Sequence, residues 1–137
     1  MKPAGSDVVN FNSIDFSHDD IGNVVDAFYT QVATDTLLKV PFATVHDWPD
    51  HIGRMTHFWW VRLGGRPYLP CRYNPVAKHF AAGFNAEFLG RWLELFKSTL
   101  RTKLTAPQIQ IWSLLVDNMG QSLHYRNEML KQEGRSV

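Results

Sequence analysis

Among the side chains of this 137-residue sequence, the six histidines offer the widest range of site chemistry, and two of them have distinctive neighbours. His51 interrupts an otherwise apolar helical face, and His79 lies among small and aromatic residues within Ala77–Ala82. A neutral imidazole nitrogen can ligate a metal ion, and small neighbours let a planar ligand approach closely. A single histidine is more often a surface residue or a satisfied core residue, so the elements around these two must be considered.

The other four histidines give weaker signals. His57 follows His51 by six residues, about 240° around a helix, and therefore points elsewhere as a structural or exposed residue. His18 falls in a first helical turn, His46 in a loop and His124 on the last helix. None of them has a partner at the spacing of zinc ligands, so the sequence does not predict a zinc site.

Tyr29 and Trp92 are further candidates because each joins an apolar ring to a polar tip. A buried hydroxyl or indole N–H requires a hydrogen-bond partner. That partner is either the backbone, which makes the residue an ordinary core aromatic, or a small ligand on a metal ion. A donor of this kind stabilises a ligand with partial negative charge more strongly in a dry pocket than in water. The residues alone leave both interpretations open.

Hydrophobic periodicity and capping residues predict the helices that would position these side chains. Ser17, Asp47 and Asn85 are each expected to cap the helix that follows. The Pro-rich stretch 66–75 is not compatible with regular helix, and Gly64-Gly65 ends the helix before it. The predicted helices cover residues 18–34, 48–63, 76–82, 86–103 and 106–131.

These helices predict one all-α domain, residues 17–133, between a loose N-terminal arm, residues 1–16, and a short tail, residues 134–137. The helices lack the heptad pattern of a parallel bundle, so crossed-helix packing of the globin kind is expected. No strand of any weight is predicted. The arm residues that are candidates for docking on the domain are Val8, Val9 and Phe11.

Two helices with apolar faces, each associated with one histidine, can hold a flat apolar cofactor that contains a metal. Nine Phe and five Trp exceed what a small helical core needs, although a tightly packed core or a partner interface would use the same residues. We therefore predict haem, with His79 as axial ligand and the opposite position left for a gas or a second side chain. The single cysteine, Cys71, excludes an internal disulfide, and the lack of a Cys-x-x-Cys-His motif predicts noncovalent binding.

Charge and hydropathy limit the partners. Fourteen basic and thirteen acidic side chains give a formal net charge of +1 without a basic block, which argues against nucleic acid. No apolar run reaches membrane-spanning length, and the N-terminus lacks the pattern of a signal peptide. We therefore expect a cytoplasmic protein with no membrane partner.

Five motifs stand in a characteristic order along the chain. They are Phe28-Tyr29, Pro41-Phe42, Trp48-x-x-His51-x-x-x-Met55-x-x-Phe58-Trp59, His79 and Arg91-Trp92-Leu93-x-Leu95-Phe96-x-x-Thr99-Leu100. In this order and spacing the sequence resembles the truncated haemoglobins, most closely their third group, over about residues 18–131.

The resemblance implies a shortened globin fold in which helices pack two over two around noncovalent haem b. It implies His79 as the proximal iron ligand and Tyr29, His51 and Trp92 as polar groups on the opposite, distal side. The sequence departs from the family in the connection Pro67–Lys78, which is longer than the usual step into the proximal histidine. The pocket walls that the resemblance implies are Phe28, Phe42, Met55, Trp59, Phe88 and Phe96.

Three functions are compatible with this sequence. The first, which the resemblance implies, is a haem protein that binds dioxygen and other diatomic ligands at ferrous iron. The second is an enzyme on the same haem, for nitric oxide dioxygenation or peroxidase-like chemistry, with electrons from an external reductase. The third is a cofactor-free helical interaction module. Donors on three sides of a ligand would slow its escape, which favours chemistry or sensing over oxygen transport.

The sequence leaves two points open. They are the oligomeric state and whether His51 itself ligates the iron.

Overall fold

The computed structural model describes residues 2–70 and 85–135, with side chains described as far as residue 125. The helix predicted over residues 76–82, and His79 within it, lie outside the described residues. Within the described parts, no helix combines the length and the hydropathy needed to cross a bilayer. The elements in these parts are, in chain order, β1 (Val8–Phe11), β2 (Ile14–Ser17), α1 (His18–Val32), a 3₁₀ turn (Pro41–Thr44), α2 (Trp48–Arg62), α3 (Ala86–Lys103) and α4 (Ala106–Arg135).

Capping residues fix where the helices begin, as predicted. The Ser17 hydroxyl accepts a hydrogen bond from the backbone N–H of Asp20 at 2.9 Å, and the Asp20 carboxylate accepts one from the Ser17 N–H at 3.1 Å. Asp47 and Asn85 each accept from the backbone N–H three residues later. These bonds satisfy N–H groups that have no partner within the helix. The predicted starts of α1, α2 and α3 are confirmed, whereas α4 is longer than predicted and includes the first residues of the predicted tail, 134–137.

The N-terminal segment folds as a β-hairpin rather than a loose arm. β1 and β2 pair antiparallel with Val9 opposite Phe16, and the two-residue loop Asn12-Ser13 has φ angles of 52° and 69°. Positive φ at both loop residues matches the right-handed twist of the strands. Phe16 is fully buried, and its ring meets that of Trp112 edge-on at 5.7 Å between centroids. The prediction of a loose arm over residues 1–16 is therefore wrong for the hairpin, because burial against α4 orders it.

Gln108, in the first turn of α4, also ties the hairpin to the helices. Its side-chain N–H donates to the backbone oxygen of Asp15 at 2.9 Å. The hairpin is thus held by a polar contact as well as by apolar burial. Of the three residues expected to dock, Val9 is buried, Phe11 is half-buried and Val8 is exposed.

The described helices pack as two pairs. α1 packs against α2, α3 packs against α4, and α1 also contacts α3. Burial of apolar stripes at helical spacing stabilises such pairs through the hydrophobic effect. The arrangement confirms the predicted all-α fold. The face that α1 presents to the core is fully buried and consists of Ile21, Val24, Val25, Phe28 and Val32.

Three large rings join the two pairs at the centre of the core. Phe96 of α3 contacts both Trp59 of α2 and Trp112 of α4, with centroid distances of 5.5 and 5.8 Å. Trp59 and Trp112 meet each other at 5.4 Å. All three rings are buried, so close packing around them is costly to disturb. These rings therefore fix the position of α2 relative to α3.

Docking of the hairpin can be tested with two neighbouring valines of β1. Val9 is 6% exposed and Val8 is 55% exposed. We expect Val9→Ala to lower the free energy of unfolding by about 1.5 kcal/mol, because about 0.8 kcal/mol is lost per buried CH₂-sized group. Val8→Ala should change it by less than about 0.5 kcal/mol. Urea unfolding curves measure both, and equal effects would show that the hairpin is not docked in solution.

Candidate functional site

Four rings meet where α1, the 3₁₀ turn and α2 come together, and we call them the tyrosine–histidine cluster. Tyr29 of α1 and His51 of α2 form its centre, with ring centroids 4.7 Å apart and planes at 89°. Phe42, in the 3₁₀ turn, lies 5.9 Å from Tyr29 and 6.3 Å from His51. Trp48, the first residue of α2, lies 5.7 Å from His51. Tyr29, Phe42 and His51, which were predicted for one site, thus lie side by side.

Trp48 is a member of the cluster that the sequence analysis placed in a motif but not in the site. Its ring stacks on Phe42 with centroids 6.5 Å apart and planes at 26°, and it lies 6.1 Å from Tyr29. The signal in the sequence is its spacing from His51, because residues three apart lie on the same face of a helix. Trp48 is half-buried, as are Phe42 and His51, whereas Tyr29 is the buried member of the cluster.

An apolar wall from α1 and α3 continues the cluster into the core. Phe28, the chain neighbour of Tyr29, meets Trp92 at 5.5 Å and Phe96 at 4.7 Å between ring centroids. Trp92 and Phe96 stack on each other at 5.2 Å. The exposed fractions of Phe28, Trp92 and Phe96 are 0%, 2% and 0%. Trp92, the second polar-tipped aromatic predicted for the site, is therefore linked to Tyr29 through a single intervening ring.

The remaining predicted site residues have different surroundings. Met55 and Trp59 follow His51 on α2 by one and two turns, and both are 3% exposed. Phe88, in the first turn of α3, is half-buried against the core. His79, the predicted metal ligand, lies outside the described residues. The structure therefore positions one side of the predicted site.

The described side of the site combines apolar surfaces with a phenol, an imidazole and an indole, from Tyr29, His51 and Trp92. Tyr29 and Trp92 are buried, so water competes weakly with them for a small polar ligand. The surrounding rings and Met55 suit one face of a flat apolar cofactor. This set of groups fits the predicted haem. In residues 2–70 and 85–125, no three His, Cys, Asp or Glu side chains gather as a metal site of their own.

An ion pair between Asp35 and Arg91 joins the connection after α1 to α3. The Asp35 carboxylate accepts hydrogen bonds from Arg91 Nη2 at 2.7 Å and from Arg91 Nε at 3.0 Å. The same carboxylate accepts from the backbone N–H groups of Leu37 at 3.2 Å and Leu38 at 3.0 Å. Hydrogen bonding from Arg91 is the main reason that the pKa of Asp35 lies below its ordinary value of 3.8.

The ion pair affects the geometry of the site because each of its two residues is linked along the chain to a site residue. Arg91 precedes Trp92, and Asp35 lies in the connection that leads to Phe42. The pair therefore helps to fix the distance between two walls of the site. The sequence analysis missed it, because an aspartate and an arginine far apart in the chain form no local pattern.

Replacing Arg91 tests what this ion pair contributes, and Arg54 offers a matched control. The side chains of Asp35 and Arg91 are 9% and 36% exposed, whereas those of Arg54 and its partner Asp50 are 45% and 56% exposed. We expect Arg91→Ala to lower the free energy of unfolding by about 1–3 kcal/mol, the range for a lost charged hydrogen bond. Arg54→Ala should lower it by less than about 1 kcal/mol.

The effect of Arg91→Ala should depend on pH in one direction. Since the folded-state pKa of Asp35 lies below the ordinary 3.8, the pair contributes fully above that value. Its contribution should decline as the pH falls from 3.8 to the lowered pKa. Unfolding curves measured across this range test the dependence, and a loss from Arg91→Ala that stays the same across it would contradict the prediction.

Comparisons with known proteins agree with this architecture. A family model described as bacterial-like globin matches residues 11–124 of the chain. Among solved structures, the crystal structure of group III truncated haemoglobin from Campylobacter jejuni matches with a TM-score of 0.69 at 22% sequence identity. The match covers 83% of this chain and 91% of that chain. No curated protein is similar to the chain at a significant level. The structural likeness shows a shared fold, as the sequence motifs predicted.

Proposed function

This chain belongs to the bacterial-like globin family, and from that membership we propose that it binds haem b noncovalently and takes dioxygen or another diatomic gas at ferrous iron. The observation that carries the proposal is the contact between Tyr29 and His51, whose ring centroids lie 4.7 Å apart within an aromatic cluster. Two polar-tipped side chains in an apolar wall suit a small polar ligand held against a flat apolar group. The likeness to a group III truncated haemoglobin favours that subgroup.

His79 is the residue that would hold the haem iron in this proposal. The support is its position within the family match and its neighbours in Ala77–Ala82, where small side chains let a planar group approach. Haem, when bound, supplies an iron atom at which diatomic gases bind reversibly. A neutral imidazole nitrogen is a common protein ligand on one side of such an iron.

Tyr29 and Trp92 are the proposed hydrogen-bond donors to the gas. Their exposed fractions of 4% and 2% keep water away from them. A ligand with partial negative charge is stabilised more by O–H and N–H donors here than by the same groups in water. The planes of the His51 and Tyr29 rings lie at 89° to each other. This contact limits the orientations that the Tyr29 ring can take.

The same three side chains favour a second candidate function, redox chemistry on the haem. Donors from Tyr29, His51 and Trp92 would slow the escape of a ligand, which suits nitric oxide dioxygenation or a peroxidase-like reaction better than transport. Such turnover requires electrons from an external reductase. Oxygen release and nitric oxide consumption, measured with a reductase present, separate the two functions, because slow release together with rapid turnover indicates an enzyme.

Replacing His79 by Ala is expected to abolish stable haem retention, because the iron loses its protein ligand. His124→Ala is the matched control, since His124 is exposed on α4. Absorption spectra of the ferric and ferrous forms, recorded after haem is supplied, measure retention in both variants. An unchanged spectrum of His79→Ala would assign the ligand to another residue. Absence of any haem absorption in the unsubstituted chain would refute the proposed function and favour a cofactor-free interaction module.

Tyr29→Phe is expected to speed oxygen release about tenfold, because a lost hydrogen bond of about 1.4 kcal/mol corresponds to that factor. Tyr125→Phe is the matched control, since Tyr125 is 64% exposed. Stopped-flow displacement of oxygen by carbon monoxide measures the rate in each variant. Release from Tyr29→Phe at the unsubstituted rate would show that the hydroxyl does not face the ligand.

A further inference from the structure

A pair of buried histidines lies outside the tyrosine–histidine cluster and has no part in the proposed function. His57 of α2 and His18 of α1 are each 8% exposed, and both contact the connection that follows α2. His57 Nε2 accepts hydrogen bonds from the backbone N–H groups of Tyr68 at 3.1 Å and Leu69 at 3.2 Å. We call these two hydrogen bonds the His57 clasp.

The His57 clasp requires a neutral imidazole. A ring nitrogen accepts a hydrogen bond only when it carries no proton, so the single ring proton of His57 lies on Nδ1. Protonation of Nε2 would turn this acceptor into a donor that faces two other donors. A protonated His57 therefore cannot keep the two backbone N–H groups bonded.

Tyr68 is held from two sides. Its ring stands nearly perpendicular to that of His57, with centroids 4.7 Å apart and planes at 86°. Its hydroxyl forms a 2.8 Å hydrogen bond with Nε2 of His18, whose ring meets Trp60 at 5.1 Å. The indole N–H of Trp60 donates to the backbone oxygen of Arg66 at 3.2 Å. Side chains of α1 and α2 thus attach this connection to the body.

We propose that His57 is a pH-sensitive positioning residue: in its neutral form it fastens Tyr68 and Leu69 to α2, and in its protonated form it releases them. Both hydrogen bonds break together, because one nitrogen atom accepts both. The connection continues along the chain towards His79, so release also weakens the hold on haem. That last step rests on the proposed function, whereas the clasp itself does not.

Burial sets the pH range of the clasp. It lowers the pKa of both His57 and His18 from the ordinary value of 6.5. Lys2 lowers the pKa of His18 further, whereas Asp19 and Asp7 raise it. Among residues 2–70 and 85–125, the titratable and charged groups around the clasp and the adjoining clefts come from four parts of the chain. They are Arg66 and Tyr68 after α2, His18, Asp19 and Asp26 of α1, Asp50 and Arg54 of α2, and Lys2 and Asp7 before β1.

The sign of the pH dependence follows from the lowered pKa. A histidine released into water takes up a proton at about pH 6.5, whereas the buried His57 does so only at a lower pH. The released state therefore gains protons first as the pH falls. The clasp is at full strength above the ordinary pKa and weakens as the pH falls from that value towards the lowered one.

Hydrogen exchange of the Tyr68 and Leu69 amides in the full chain tests the clasp. We expect their protection, corrected for the intrinsic pH dependence of exchange, to fall roughly tenfold between a pH of about 7.5 and one of about 5. His57→Gln keeps an acceptor oxygen near the position of Nε2 but does not titrate there. The protection of these amides should therefore fall much less in His57→Gln than in the unsubstituted chain, since only His18 still titrates beside Tyr68. His46→Gln, at an exposed position, is the matched control and should behave like the unsubstituted chain.

Two results would overturn the role of His57. The first is equal protection of both amides at the two pH values in the unsubstituted chain. The second is a fall in His57→Gln as large as that in the unsubstituted chain. If the variant does not fold, the pH series on the unsubstituted chain decides alone.

Haem loss to an excess of haem-free myoglobin gives a second readout on the loaded protein. As the pH is lowered, the rate of haem loss should rise more steeply in the unsubstituted chain than in His57→Gln. Equal acid sensitivity of the two would overturn the link from the clasp to haem retention. A chain that takes up no haem would refute the proposed function, and the exchange measurement would still decide the role of His57.

Discussion

Burial of a single ring, that of Phe28, is the constraint on which the site depends. Phe28 is fully buried and meets Tyr29, Trp92 and Phe96 at centroid distances of 4.8, 5.5 and 4.7 Å. Consecutive residues of an α-helix point about 100° apart, so a helix that directs Phe28 into the core directs Tyr29 to one side of it. His51 lies on that side. Core packing and the direction of the site tyrosine thus have one cause.

Local signals explain which parts of the fold were predictable. Ser17, Asp47 and Asn85 mark helix starts because a cap acts on backbone groups only three residues away. The hairpin was not predictable in this way, since strands of four residues show little periodicity. Its loop, Asn12-Ser13, also lacks the glycine that usually signals such a turn. The hairpin is ordered because Phe16 packs on the ring of Trp112 in α4, and no local sequence pattern predicts that contact.

The same distinction between local signals and contacts of distant residues applies to the residues of the site. Tyr29 and His51 were candidates from the residues alone, and the resemblance to the truncated haemoglobins implied that they share one site. The structure brings them together. Partners from distant parts of the chain, such as Asp35 and Arg91, were not predicted, because only the packed helices make them neighbours. His57 was interpreted as structural or exposed; the structure shows it buried, with its ring nitrogen accepting from two backbone groups.

The hairpin also has a consequence for synthesis on the ribosome. Phe16 is translated early, whereas its burial partner Trp112 belongs to the last helix. The nascent chain therefore carries Phe16 without its final neighbour for most of translation, and contacts between such distant residues slow folding. Ser17 ends β2 and also caps α1, so a hairpin that is ordered also fixes the residue that caps the first helix. The N-terminal hairpin therefore reaches its final packing only after the last helix has left the ribosome and docked against Phe16.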